Sequence, residues 1–320
     1  MGKIRRKVVE NHPHLTLIMI CDSEISNIND SNSFKVISES IEVVKSDVDL
    51  VFICTPNKFI PDLTIQCLNG GKHVFCEKPP GRTLDDINRM QDAEKRNTGT
   101  KLMFGFNHRF HPGVIRAKSI VNSGRMGKIL TLRGLYGKSG GKSFKESWRN
   151  DYKISGGGIL LDQGIHMLDL FRYFSNNEFE CQSSHLSTSF WDIECEDNAF
   201  LTLKSSNDVI ATLHSSATQW RHKFLLEMTF EEGYLNLDGI LSETRSYAPE
   251  TLIIGQREFE DVTFAMGKPK QSITYFENDK SWDFELAEFI DAIKGTASIL
   301  NGTSQDAFEI MKIVDHVYSN

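Results

Sequence analysis

No stretch of this 320-residue sequence stays apolar for longer than a β-strand needs. The longest runs, Leu15–Cys21 and Val48–Cys54, fall far short of the roughly 20 residues that a membrane-spanning helix requires, so no membrane partner is expected. The basic start, Met1-Gly2-Lys3-Ile4-Arg5-Arg6-Lys7, leads into no apolar signal region, and Arg6 stands where a myristoylation site has Ser or Thr. None of the six cysteines, at 21, 54, 67, 76, 181 and 195, belongs to a C-x-x-C pair. That spacing excludes zinc ribbons and thioredoxin chemistry, and no metal is expected. Several of the cysteines sit inside apolar runs, where Cys behaves as a small buried hydrophobe, so a reduced, cytoplasmic compartment is expected. Positive charge is also in deficit: 36 Lys and Arg against 43 Asp and Glu leave a formal charge of -7. Nucleic acid is therefore not an expected partner. Internal repeats and low-complexity linkers are absent as well.

What is present falls into two textures. Over the first hundred residues apolar runs of strand length (Leu15–Cys21, Asp49–Thr55, His73–Cys76, Leu102–Phe106) alternate with helical stretches (Ser40–Ser46, Lys58–Asn69, Leu84–Arg96). Asn69-Gly70-Gly71 ends one helix as a C-cap glycine does, and Thr83-Leu84-Asp85-Asp86 opens the next with an N-cap and early acids. This alternation predicts parallel βαβ units. After about residue 108 come a helix at Pro112–Ser123, a glycine-rich stretch at Gly137–Lys142 and a helix beginning near Gly158. Short alternating strands then run from Cys181 to Phe276, and helices at Asp283–Lys294 and Ser304–Tyr318 close the chain. The reading is a dinucleotide-binding domain over 1–108, then an α+β domain with a large, mostly antiparallel sheet over 109–320.

Parallel sheets bind ligands at the carboxyl ends of their strands. The polar residues of the first half collect there: Asp22, then Thr55-Pro56-Asn57, then Glu77-Lys78-Pro79, then Asn107 and Arg109. Asp22 follows Gly2 by 20 residues, the spacing at which an acid reaches the adenosine ribose. Ser23 and Glu24 come next, so a 2′-phosphate would meet negative charge, and NAD is favoured over NADP.

Three motifs together resemble the Gfo/Idh/MocA family of oxidoreductases: T-P-N at Thr55, G-K-H-V-x-x-E-K-P from Gly71 to Pro79, and G-F-N-x-R-F from Gly105 to Phe110. Gly156-Gly157-Gly158-Ile-Leu-Leu-Asp162-Gln-Gly164-Ile-His166-Met-Leu-Asp169 resembles the same family's G-G-G-x-x-x-D-x-G-x-H-x-x-D. The resemblance implies a Rossmann domain, an open-faced sheet domain, a homodimer or homotetramer, and hydride transfer between a sugar-like hydroxyl carbon and nicotinamide. By the match, Lys78 hydrogen-bonds the reacting hydroxyl, His166 takes its proton, and Asp162 orients substrate. Independent chemistry agrees with these roles. Asp162 and His166, four residues apart, share one helical face. The triple glycine permits close approach of backbone to ligand. Histidine is the base nearest neutrality, and a lysine ammonium lowers the cost of alkoxide character.

The expected dinucleotide contacts are Gly2, Lys3, Ile4, Asp22, Thr55, Pro56, Asn57, Glu77, Lys78, Asn107 and Arg109. The expected substrate contacts are Lys78, Arg109, Trp148, Arg149, Asp162 and His166, with the Trp148 ring stacking on a sugar and Arg149 holding an anion. The sequence departs from the family in two ways. Ile60-Pro61 stands where relatives often have His, and Met1-Gly2-Lys3-Ile4 matches only the last step of the glycine fingerprint. The strand expected mid-sheet then has no residues to form it. A start codon upstream of Met1 is the favoured explanation. A non-catalytic regulatory relative and re-pairing of neighbouring strands are the alternatives. Transient oxidation leading to glycoside hydrolysis is a further possible outcome of the same chemistry.

Overall fold

The computed structural model describes residues 1–24, 34–257 and 270–320. The chain forms two units, 1–106 with 282–311 and 107–281 with 312–320.

In the first unit, helix α1 (Gly2–Asn11) buries Arg5 and Val9, one turn apart. Strands β1 (Met19–Cys21) and β2 (Lys35–Ile37) follow as a parallel pair with Ile20 opposite Val36. After α2 (Ser40–Lys45) come β3 (Leu50–Ile53), α3 (Ile60–Asn69), β4 (His73–Glu77), α4 (Leu84–Arg96) and β5 (Leu102–Gly105). Strands β3, β4 and β5 form a parallel sheet in which Phe52 faces Phe75 and Phe75 faces Met103. Val74, Phe75, Cys76, Met103 and Phe104 are fully buried, which is why these strands read as unbroken apolar runs. Each large apolar side chain so buried contributes about 1.5–3 kcal/mol. Thr83 caps α4 by accepting from the Asp86 amide at 3.3 Å, as the sequence pattern indicates.

Among the described residues no ladder joins the β1–β2 pair to the three-stranded sheet. Among the described residues the neighbouring strands therefore do not re-pair across the expected gap. β1 begins at Met19 and not at Leu15, and β2, only three residues long, has too little periodicity to be seen in the sequence.

The expected division at residue 108 differs in one respect. Residues 282–311, read as part of the second domain from their place in the sequence, belong with the first unit. The reason is packing: Phe289 meets Phe75 edge-on at 5.6 Å, and the Phe104 amide donates to Gly302 O at 2.7 Å.

In the second unit α5 (Pro112–Asn122) leads to β6 (Ile129–Gly137), the short α6 (Tyr152–Ser155), a π-turn at Leu160–Gly164 and α7 (Ile165–Ser175). The strands β7 (Phe179–Ser187), β8 (Asn198–Ser205), β9 (Ile210–Ser216), β10 (Lys223–Phe230), β11 (Gly233–Asp238), β12 (Glu250–Gln256) and β13 (Gln271–Phe276) complete a sheet ordered β13-β12-β11-β10-β6-β9-β8-β7. Only β6–β9 is parallel; the other pairings are antiparallel. One face is core: Leu132, Leu213, Leu226, Met228 and Leu235 are buried, and α7, itself almost wholly buried, packs on β6 and β9. Gly134 makes that approach possible, because a Cβ there would come 2.3 Å from Met167 Cγ. The opposite face is open, leaving Phe200, Ile273 and Tyr275 exposed. Residues 258–269 of the expected strand region lie outside the described residues.

Candidate active site

The first unit presents its predicted residues at strand ends and at the start of α1. Gly2 opens α1 beside β3, where a Cβ would lie 3.9 Å from Cys54 Cβ. Lys3 is exposed and Ile4 half-buried. Asp22 is exposed after β1, accepting from the Glu24 amide at 2.9 Å. After β3, Pro56 is half-buried and Asn57 buried, and the Thr55 hydroxyl is buried without a hydrogen-bond partner among the described residues. Such an atom suits a ligand that brings its own donor or acceptor. Lys78 is half-buried at the end of β4, and its peptide bond to Pro79 is cis.

Glu77 does something else. Its carboxylate takes the Arg5 guanidinium at 2.6 Å, and Arg5 reaches Glu285 at 2.6 Å in turn, with all three side chains buried. The guanidinium lies over Phe75 at 4.2 Å and Trp282 at 4.6 Å. Burial opposes its charge, yet Glu285 and Glu77 hold Arg5 above its ordinary value. One cation cannot balance two buried carboxylates, and burial pushes Glu285 up to about 7. The Glu77 carboxylate is therefore a structural anchor. Arg5 was invisible in the sequence because Lys3, Arg6 and Lys7 flank it with the same charge.

In the second unit, the expected α-helical start near Gly158 is a π-turn, in which the Ile165 amide reaches back to Leu160 O. π-turns inside helices recur at functional sites. Asp162 lies on this turn and is held from two sides, by Lys138 Nζ at 2.6 Å and by Arg149 Nε at 3.2 Å. One turn on, His166 is buried and stacks on His108 at 3.7 Å. His108 Nδ1 lies 3.2 Å from Asn107 Oδ1, and Nε2 lies 3.1 Å from the Tyr136 hydroxyl. Burial raises the Tyr136 phenol well above its ordinary value, so it stays a neutral donor. Nearby, Gln163 Nε2 donates to the Tyr247 hydroxyl at 2.8 Å, and His222 meets Tyr247 edge-on. Burial, with Lys138 assisting, holds His222 below its ordinary value. His108, Tyr136 and Tyr247 were missed because no spacing rule links strand, turn and helix residues so far apart in sequence.

Four expectations need correction here. Arg109 is not turned to a ligand: it is 5% exposed and grips Asp169 in a bidentate pair at 2.9 and 2.6 Å. Asn107 is buried and occupied with His108 and, at 3.5 Å, the Ser281 hydroxyl. One face of the Trp148 ring is taken by the Arg149 guanidinium at 4.5 Å, so these two expected substrate contacts pack on each other. The triple glycine serves packing: Gly156 is the left-handed cap of α6, a Cβ on Gly157 would strike Tyr318, and one on Gly158 would come 2.2 Å from Glu196 O. Glu196 also accepts from the amides of Gly158 and Leu160, each at 2.9 Å.

Among the described residues no helix is long and apolar enough to cross a membrane, and no group of His, Cys, Asp or Glu is arranged to hold a metal ion.

Comparison with known proteins agrees with this architecture. Residues 1–106 match the model of the oxidoreductase family with an NAD-binding Rossmann fold, and residues 114–236 match the GFO/IDH/MocA C-terminal domain. The uncharacterized oxidoreductase YrbE of Bacillus subtilis is 28% identical, covering 98% of this chain and 89% of the relative. The D-glucoside 3-dehydrogenase of Escherichia coli is 30% identical, covering 68% and 67% respectively. Among solved structures, levoglucosan dehydrogenase in complex with NADH and levoglucosan superposes with a TM-score of 0.86 at 21% identity, over 100% of this chain and 94% of that one. With both halves matched in order, the chain belongs to the Gfo/Idh/MocA family of NAD-binding oxidoreductases.

Proposed function

We propose that this protein is an NAD-dependent dehydrogenase or reductase acting on the hydroxyl-bearing carbon of a sugar, cyclitol or nucleotide sugar. The observation that carries the reading is the π-turn, which holds Asp162 between two cations one turn before His166. Kinship to a D-glucoside dehydrogenase supports a sugar substrate.

Gly2, Asp22, Thr55 and Asn57 are the residues that would hold the dinucleotide, and the partnerless Thr55 hydroxyl fits that use. When bound, the dinucleotide supplies the hydride acceptor. Asp22, exposed and followed by Ser23 and Glu24, suits a free 2′-hydroxyl better than a 2′-phosphate. His166 receives the hydroxyl proton as the C–H hydrogen leaves with its electron pair and the carbonyl forms. By the family match, Lys78 is the residue that would donate to the reacting oxygen and stabilise its developing negative charge. Asp162, itself fixed by Lys138 and Arg149, accepts from a neighbouring hydroxyl and sets the ring's orientation. We take the chain to assemble as a homodimer or homotetramer through the open sheet face, where Phe200 and Tyr275 are exposed.

The division between the β1–β2 pair and the β3–β5 sheet favours a second reading, a non-catalytic dinucleotide-binding relative. NADH titration, followed by energy transfer from the four tryptophans, separates the two readings when it is joined to NAD⁺ and NADP⁺ reduction with glucose, methyl glucosides, levoglucosan and myo-inositol. Turnover that disappears in Lys78→Ala and His166→Ala supports the enzyme. A folded chain that binds NADH yet turns over none of these supports the relative.

A further inference from the structure

A run of aromatic rings in the second unit starts beside Asp162 and leads away from it. Lys138, bound to Asp162 at 2.6 Å, also lies over the Phe144 ring, 5.2 Å from its centroid. Phe144 packs on Trp191 at 4.9 Å, Trp191 meets Phe190 edge-on at 5.2 Å, and Phe190 meets Trp220 edge-on at 4.8 Å. The last two rings are open to solvent: Phe190 is 61% exposed and Trp220 59%.

Single exposed apolar residues are ordinary on protein surfaces. Two large rings side by side on an anchored backbone are not. The amides of Ser189, Phe190 and Trp191 all donate to the buried carboxylate of Asp197, at 2.8, 2.8 and 2.9 Å. Burial alone would raise that carboxyl, yet these amides and Asn198 hold it below its ordinary value. The Trp191 indole donates to Ala217 O at 2.9 Å, and Gly140 passes so near that a Cβ would lie 2.3 Å from the indole ring. Trp220 sits at φ 49°, a region non-glycine residues adopt only when their surroundings impose it, and the preceding Gln219 amide is tied to Lys138 O at 3.1 Å. The fold thus fixes the backbone in order to present rings to solvent.

We propose that Phe190 and Trp220 form a stacking subsite for the second ring of a glycoside, whose first ring is the one oxidised beside Asp162 and His166. The inference rests on the functional reading of that pair given above and narrows its substrate to disaccharides and similar glycosides. The apolar C–H face of a pyranose matches a flat aromatic side chain, which orders at little entropic cost. Lys145 and Asp192, which flank Phe144 and Trp191, pair with each other at 3.2 Å, while the exposed Arg221 follows Trp220 directly.

Calorimetry and tryptophan fluorescence on the intact chain with NADH test this, using methyl β-D-glucoside, cellobiose, maltose and UDP-glucose as probes. A disaccharide is expected to bind at least about tenfold more tightly than the methyl glucoside, quenching Trp220. The double variant Phe190→Ala/Trp220→Ala, at two exposed sites, is expected to keep its circular dichroism and its affinity for the methyl glucoside while losing that preference. No saturable disaccharide binding, or a preference that survives the double variant, overturns the subsite. UDP-glucose binding tightest, with that advantage lost in the variant, reassigns the rings to a nucleobase. A fall in mass by light scattering, with the preference intact, assigns them to contact with a second copy. Retained turnover in His166→Ala refutes the base while leaving the subsite standing, because binding is read without turnover.

Discussion

The imidazole of His166 lies flat on that of His108, with ring centroids 3.7 Å apart and planes 14° from parallel. His108 is tied at both nitrogens. Asn107 Oδ1 accepts from Nδ1–H, and the neutral Tyr136 phenol donates to Nε2. The base is therefore oriented by a ring that is itself oriented. Tyr136→Phe removes one bond without opening a cavity, and is expected to cost about 0.5–1.5 kcal/mol of stability. Misplacing the base should lower kcat by about 10- to 100-fold with the NAD⁺ KM unchanged. His166→Ala should lower kcat by roughly 10²–10⁴-fold. Steady-state kinetics beside thermal melts measure both effects, and a matching rise in sugar KM in Tyr136→Phe would instead place that phenol against substrate.

The Arg5 cluster joins α1 to Glu77 and Glu285 through buried charges. Arg5→Met leaves Glu77 and Glu285 buried together without a cation. Removing one partner of such a set costs about 3–5 kcal/mol. Urea unfolding should show that loss, and adding Glu285→Gln should recover part of it. A midpoint within experimental error of the wild type would mean the cluster is hydrated.

Glu285 also gives the fold a pH signature. Burial lifts its folded-state value to about 7 from an ordinary 4.5. In that window the native chain binds more protons than the unfolded one, so stability is greatest below it and falls as pH rises through it. At roughly 1.4 kcal/mol per pH unit the loss across that window is on the order of 3–4 kcal/mol. Glu285→Gln removes the titrating proton and should flatten this slope, making the variant the more stable protein above pH 7. Unfolding curves at pH 5 and pH 8 decide, and equal slopes in the two proteins would sink the assignment.

What the sequence made legible was chemistry tied to residue type at fixed spacing. Lys78 does stand at the end of β4, Asp162 and His166 lie one turn apart, and Thr83 caps α4, because each depends on neighbours a few residues away. What it hid depends on distance or on the missing Cβ. Arg5 and Glu285 are 280 residues apart, and nothing local marks either as a partner. Residues 282–311 return to the first unit through Phe289 and Gly302, whose apolar and turn character suits any helix ending. The triple glycine was read as space for a ligand, yet the atoms that fill that space belong to Glu196 and Tyr318. Arg109 sat in a motif of ligand contacts, and only the opposing Asp169 shows that its charge is already matched.

That last point separates two roles by experiment. Arg109→Lys keeps the charge but loses the fork that binds both Asp169 oxygens, at 2.9 and 2.6 Å. If the pair is structural, the melting temperature should fall by an amount corresponding to about 1–3 kcal/mol, while KM for dinucleotide and sugar stays within about twofold. If Arg109 instead held a ligand, the reverse pattern would appear, with KM rising and stability unchanged. The Asp169→Asn partner variant sharpens the comparison, since it leaves Arg109 buried and half-bonded. It should destabilise the fold at least as much as Arg109→Lys, because an uncompensated buried cation costs more than a poorly seated one. Melts of the two variants, run beside kinetics on the same preparations, show which charge the fold requires.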